Sequence, residues 1–186
     1  MPAADPATKL ADAALKLLAK TGWSDLTLAQ VARSAKVPLA SLQTIAPTKA
    51  ALFGVLLRRI GADVARKYHP DRRSSDARDQ MLDVALTWFE VLRPRAKAVR
   101  MLYEDLRRDP LSLVAGRGEI VSAASWLLVL AEADAGPVLP ARALAFAGIL
   151  ARAIPVWLND DDEMTATMAQ LDADLRRGGF LFGHRQ

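Results

Sequence analysis

Few side chains in this sequence could carry covalent or metal chemistry. Cysteine is absent, and the two histidines, His69 and His184, are far apart and fall in no triad or metal-ligand spacing. A thiolate nucleophile, a disulfide framework and a thiolate metal site are therefore excluded. Glu104-Asp105-Arg107-Arg108-Asp109 mixes its signs and reads as a solvated, salt-bridged helix end, and Asn159-Asp160-Asp161-Asp162 reads as a helix cap. No catalytic residue, metal or cofactor is expected, and the chain does not read as an enzyme.

Charge points to a different chemistry. Residues 1–70 hold ten Lys and Arg against four Asp, whereas the remainder holds 15 basic and 17 acidic residues. The net charge of +4 is thus a basic front of +6 beside a slightly acidic remainder of −2. A polyanion would meet that front.

The elements that would position these charges are helical throughout. Leu10, Ala13, Ala14, Leu17 and Leu18 make an i, i+3, i+4 stripe that ends near Gly22. Thr27-Leu28-Ala29-Gln30 has the form of a capping box and opens a short helix faced by Leu28, Val31, Ala32 and Ala35. Pro38 begins a third helix running to Ile45, and Thr48 can cap a fourth that continues towards Lys67. A polar, turn-rich linker follows from His69 to Ser75. Longer helices are expected around Met81–Phe89, from Pro94 to Leu106, from about Leu111 to Ala133, from near Ala141 to Leu158, and from Asp162 to Arg177. Pro155 is expected to kink its helix. Acids at the first turn of the last helix and Arg176-Arg177 at its end should complement its dipole. No alternating run suggests a strand. The fold class is all-α, about nine helices, with an N-terminal three-helix domain followed by a C-terminal bundle.

With 186 residues, 52% of them hydrophobic, the chain can bury a core and is too apolar to be disordered. Met1 to Lys20 carries Asp5, Lys9, Asp12 and Lys16 through any would-be apolar region, so no signal peptide is read. The longest uncharged apolar run, Ile120 to Ala131, has 12 residues, short of the roughly 20 that span a bilayer. A cytoplasmic protein with no membrane span is expected.

Three short helices with tight connections and a basic balance have helix-turn-helix proportions, a motif that lays its last helix in the DNA major groove. Residues 10–57 resemble the N-terminal domain of the TetR family of transcriptional regulators. The likeness rests on the Ala-Ala-Leu-x-Leu first helix, Gly22 with Trp23, Thr27 leading into Val31-Ala32, Val37, Leu42, and Pro47-Thr48-Lys49 followed by Leu52. It implies a helix-turn-helix DNA-binding domain over 1–50 and a ligand-binding and dimerisation domain over 51–186. Trp23, Leu26, Val31, Val37 and Leu42 would form the trihelical core. Thr27, Arg33, Lys36, Ser41, Gln43, Thr44 and Lys49 would contact a double-stranded operator, Lys49 by holding a phosphate at the start of the fourth helix. The recognition helix departs from the family pattern, with Leu39 in place of Lys, Gln43 of Tyr, Ile45 of His and Ala46 of Phe. Gln43 could still read adenine, and Thr44 could bond a phosphate or touch a thymine methyl.

In the larger part, the resemblance implies a pocket for a small apolar effector lined by Trp88, Phe89, Met101, Leu102, Tyr103, Trp126, Leu130, Phe146 and Leu150, with Tyr103 or Glu104 as polar contact. Each of these residues is also a reasonable core residue. The last two helices would form the homodimer interface through Ile149, Ala153, Trp157, Met164, Met168, Leu171 and Leu175. The expected function is a repressor released by that effector. Trp157 to Asp162 with Thr167 and Leu171-Asp172 also resembles the end of TetR-fold accessory proteins of ubiquinone biosynthesis. Those proteins bind isoprenoid lipid in place of DNA, and they give the second reading.

Overall fold

Residues 5–69, 77–134, 136 and 138–178 are described by the computed structural model. They form ten α-helices and no strand: α1 (Pro6–Thr21), α2 (Leu28–Ala35), α3 (Leu39–Ile45), α4 (Lys49–Lys67), α5 (Ala77–Leu92), α6 (Ala96–Arg108), α7 (Pro110–Ala115), α8 (Arg117–Leu130), α9 (Leu139–Trp157) and α10 (Thr165–Arg177), with a 3-10 turn at Arg93–Arg95. The all-α class is as the sequence reads. The linker from Pro70 to Ser75, Gly179 and His184 lie outside the described residues.

The chain divides into two units, one made of residues 1–60 with 94–120, the other of 61–93 with 121–186. The first therefore contains more than the three-helix head expected over 1–50.

In the first unit α1 packs on α2, α3 and α6. Leu10, Ala11, Ala13, Ala14 and Leu18 of α1 are buried with Trp23, Leu26, Val31, Ala32, Val37 and Leu42, and Ala98 of α6 belongs to the same core. The expected trihelical core is thus present, and it is buttressed from a segment far along the chain. Helix starts follow local chemistry. Pro6 takes the first turn of α1, where its missing N–H costs nothing. The Thr27 hydroxyl accepts from Gln30 N at 3.2 Å while the Gln30 amide oxygen accepts from Thr27 N at 2.9 Å, completing the capping box. The Thr48 hydroxyl accepts from Ala51 N at 3.0 Å and caps α4.

The helix expected from Leu111 to Ala133 is two. Asp109 accepts from Ser112 N at 3.2 Å and caps the short α7, and a new helix begins after Gly116, whose backbone packs closely against the Phe53 ring. It ends at Leu130 because Glu132 adopts a left-handed φ of 52° and Ala133 N bonds back to Leu128 O.

In the second unit α10 packs on α5 and α9. Phe89, Phe146, Leu150, Trp157, Leu171 and Leu175 are buried there. α9 begins at Leu139, two residues before its expected start, since Pro140 suits a first turn. It runs unbroken through Pro155 to Trp157, with that proline in its last turn. By length and composition α9 could cross a membrane. It carries Arg142 and Arg152, and Phe146, Ile149, Leu150, Ala153 and Trp157 give it a buried face. The one buried carboxylate among the described residues, Asp174, is met by Gln170 Nε2 at 2.8 Å, Arg177 Nη1 at 3.2 Å and Arg152 Nε at 3.3 Å.

α10 has no acid in its first turn, contrary to expectation. Its cap reaches in from upstream: Asp160 Oδ2 accepts from both Thr167 N and the Thr167 hydroxyl, each at 2.7 Å. The Thr167 hydroxyl chiefly holds the Asp160 carboxyl below its ordinary value. A carboxyl whose pKa is lower folded than unfolded stabilises the fold above its ordinary value of about 4, and that contribution is lost as pH falls through the folded value. In a carboxyl NMR titration Asp160 should turn over below the ordinary range, and Thr167→Val should return it towards that range. An unchanged midpoint in Thr167→Val would contradict this cause.

Candidate nucleic-acid interface

α3 buries Leu42 in the head and half-buries Ser41 and Ile45, while Leu39, Ala40, Gln43 and Thr44 are exposed. The helix faces solvent with the positions that would read base edges. Arg33 on α2 and Lys36 at its C-terminal cap are also exposed, and α2 packs on α3, so two cations lie close to a helix that carries none. Lys36 has a left-handed φ of 53°. Its amide bonds back to Ala32 and Arg33 carbonyls, closing α2 where the turn towards α3 begins.

Two residues of the expected contact set already have structural work. The Thr27 hydroxyl belongs to the capping box. Lys49 Nζ donates to Trp23 O at 2.6 Å and to Ser24 O at 3.2 Å, and lies 5.2 Å from the Trp23 ring centroid. An ammonium has three N–H groups, so at most one is left for a phosphate. Lys49 is first of all the residue that pins the turn between α1 and α2.

The residue that sequence reasoning missed is Asp105. Its Oδ2 accepts from Trp23 N at 2.6 Å and from Ser24 N at 3.1 Å. The same turn is therefore clamped by a carboxylate of α6 on its N–H groups and an ammonium of α4 on its carbonyls. Nothing local could have signalled this, since the partners are about 80 residues apart. Asp109 did carry a local signal, because Asp-Pro-x-Ser is a helix start.

The nine expected effector-lining residues divide between the units. Met101, Leu102 and Tyr103 lie on α6 in the first. Leu102 packs against the core of the head, Met101 lies beside Gly22, and the Arg107 guanidinium sits 5.6 Å from the Tyr103 ring. Met101 and Leu102 buttress the head. Of the six in the second unit, Phe89, Phe146 and Leu150 are buried and Trp88 and Leu130 half-buried. Trp126 is exposed, with its Nε1 donating to Gly61 O at 3.3 Å.

The expected interface residues are corrected by burial. Ile149, Ala153, Trp157, Met164, Leu171 and Leu175 are covered within the single chain, so they hold α9 and α10 into their own unit, and only Met168 of the seven is exposed. The segment from Trp157 to Asp162 has local roles as well: Trp157 is core, Asp160 caps α10, and Arg93 Nη2 donates to Asp161 O at 2.6 Å.

No protein-family model matches the sequence, and no curated protein does. Solved structures do. A TetR transcriptional regulator from Rhodococcus sp. RHA1 aligns with a TM-score of 0.64 at 15% identity, covering 96% of each chain. The fold is that of the TetR regulators. A TetR-like transcriptional regulator from the same organism aligns with a TM-score of 0.50 at 18% identity, over 96% of this chain and 97% of that one.

Proposed function

We propose that the chain is a homodimeric one-component transcriptional regulator, a repressor that acts in the cytoplasm and leaves its operator when a small apolar effector binds. The observation that carries this reading is the solvent-facing side of α3, flanked by Arg33 and Lys36, on a head whose core is otherwise closed. In this reading residues 1–50 hold the DNA, and residues 51–186 bind the effector and the second copy. Arg33, Lys36 and the remaining N–H of Lys49 take phosphates, while Gln43 and Thr44 face the groove. The effector lies among Trp88, Phe89, Leu130, Phe146 and Leu150. The second copy meets the outward stripe of α9 at Leu144, Gly148 and Ala151 together with Met168 of α10, all exposed. No enzymatic step is assigned.

Fluorescence anisotropy on duplex flanking the protein's own gene tests the reading. Binding should weaken by about 100-fold or more between roughly 50 and 200 mM salt, as counterions released from several phosphates compete. Absence of sequence-preferring, salt-sensitive binding at low salt would refute it.

A further inference from the structure

We infer that α3 selects A·T base pairs, with Leu39, Ala40 and Thr44 packing on thymine methyl groups and Gln43 reading adenine. This names the operator chemistry and rests on the DNA-binding reading above.

The outward face of α3 is neutral. Leu39–Ile45 contains no charged residue, so it lacks the Arg or Lys that reads guanine O6 and N7 in the major groove. What it presents is apolar. Leu39 is 61% exposed, among the more exposed large hydrophobic residues described, and Ala40 is exposed beside it. Thr44 adds to this face, because its hydroxyl donates to Ala40 O at 3.2 Å and is spent inside the helix. With that proton taken, the methyl group is the apolar part that Thr44 can bring to a base edge. The C5-methyl of thymine is the apolar group of the major groove, and small apolar side chains are its partners. Gln43 is exposed, and its side chain makes no hydrogen bond to the described residues, so both ends of its amide are available for adenine N6 and N7.

Cations on α2 complete the arrangement. Arg33 and Lys36 supply sequence-independent attraction to phosphate, which seats α3 in the groove. A face made of one leucine, two methyl-bearing residues and a free amide then discriminates by shape and methyl contact. Guanine and cytosine have neither a methyl for Leu39 nor the donor–acceptor pair that Gln43 matches.

The test uses the full chain on a random-sequence duplex library, followed by the selected site with deoxyuridine in place of individual thymines. Selected half-sites should be rich in A·T pairs. Removing one contacted thymine methyl should weaken binding about fourfold, the effect of exposing one buried methyl-sized group. In Leu39→Ala, thymine and deoxyuridine should bind alike at the position Leu39 covers. The fold should be unaffected because Leu39 is exposed, as an unchanged melting curve would show. Gln43→Ala should lose the adenine preference at one position by on the order of tenfold. Half-sites centred on G·C, or equal binding of thymine and deoxyuridine duplexes by the unaltered protein, would overturn the inference and leave DNA binding standing. Recovery of no duplex at any salt concentration would overturn both.

Discussion

Replacing Trp157 by alanine is expected to lower the melting temperature by about 6–20 °C. Trp157 is fully buried at the end of α9, with its ring 5.5 Å from that of Phe89 and 5.5 Å from the Arg93 guanidinium. Truncating a buried aromatic removes its transfer free energy and leaves a cavity, at a cost of about 3–5 kcal/mol. At this chain length each kcal/mol moves the midpoint by about 2–4 °C. Trp157→Phe should cost much less. It keeps the ring contact and removes an indole N–H that is buried without a hydrogen-bond partner among the described residues. Thermal unfolding followed by circular dichroism checks both variants, and a Trp157→Ala midpoint within 2–3 °C of the unaltered protein, about what 1 kcal/mol would give, would refute the assignment of Trp157 to the core.

Gly22→Ala is expected to destabilise by about 1–3 kcal/mol and, in the proposed reading, to weaken DNA binding with it. Gly22 closes α1 with φ 78° and ψ 177°, a conformation essentially restricted to glycine. A Cβ there would also lie 2.7 Å from Asp105 Oδ2. That oxygen is fixed by the N–H groups of Trp23 and Ser24, so it cannot move away without breaking the clamp. The two costs share a partner and should not add independently. Asp105→Ala alone should destabilise by leaving the buried Trp23 N–H without an acceptor. Gly22→Ala made on top of Asp105→Ala should cost less than in the unaltered chain, because the collision is gone while the backbone strain remains. Equal costs in both backgrounds would contradict the contact.

Much of the head was legible because its signals are local. Thr27 and Gln30 are three residues apart, Thr48 caps the helix that follows it, and the stripe from Leu10 to Leu18 can be buried in only one direction. The fold class follows from the same periodicity. What escaped the sequence involves distant partners. An apolar stripe states which positions seek cover and not what covers them: Ile149, Leu171 and Leu175 would show the same spacing against a second copy as against their own chain. The same holds for Leu102, whose apolar character suits a pocket wall as well as the underside of the head. Lys49 was read from the family resemblance and the start of its helix, and Asp105 by charge alone. Their partners are backbone atoms of residues 23 and 24, and a sequence records no preference for a particular carbonyl or amide. α7 and α8 separated at Gly116 for a related reason, since a lone glycine inside a helical pattern is ambiguous until something packs on it.

The clamp on the turn after α1 bears on how this protein could be re-engineered. Grafting residues 1–50 onto a foreign body would leave behind both the carboxylate that satisfies two amides of that turn and Ala98, which sits in the same apolar cluster as Leu10 and Leu42. The three-helix head is therefore no detachable cassette. A chimera that retains its shape must carry 94–120 along with the first sixty residues, so the splice points lie deep in the chain and come in pairs.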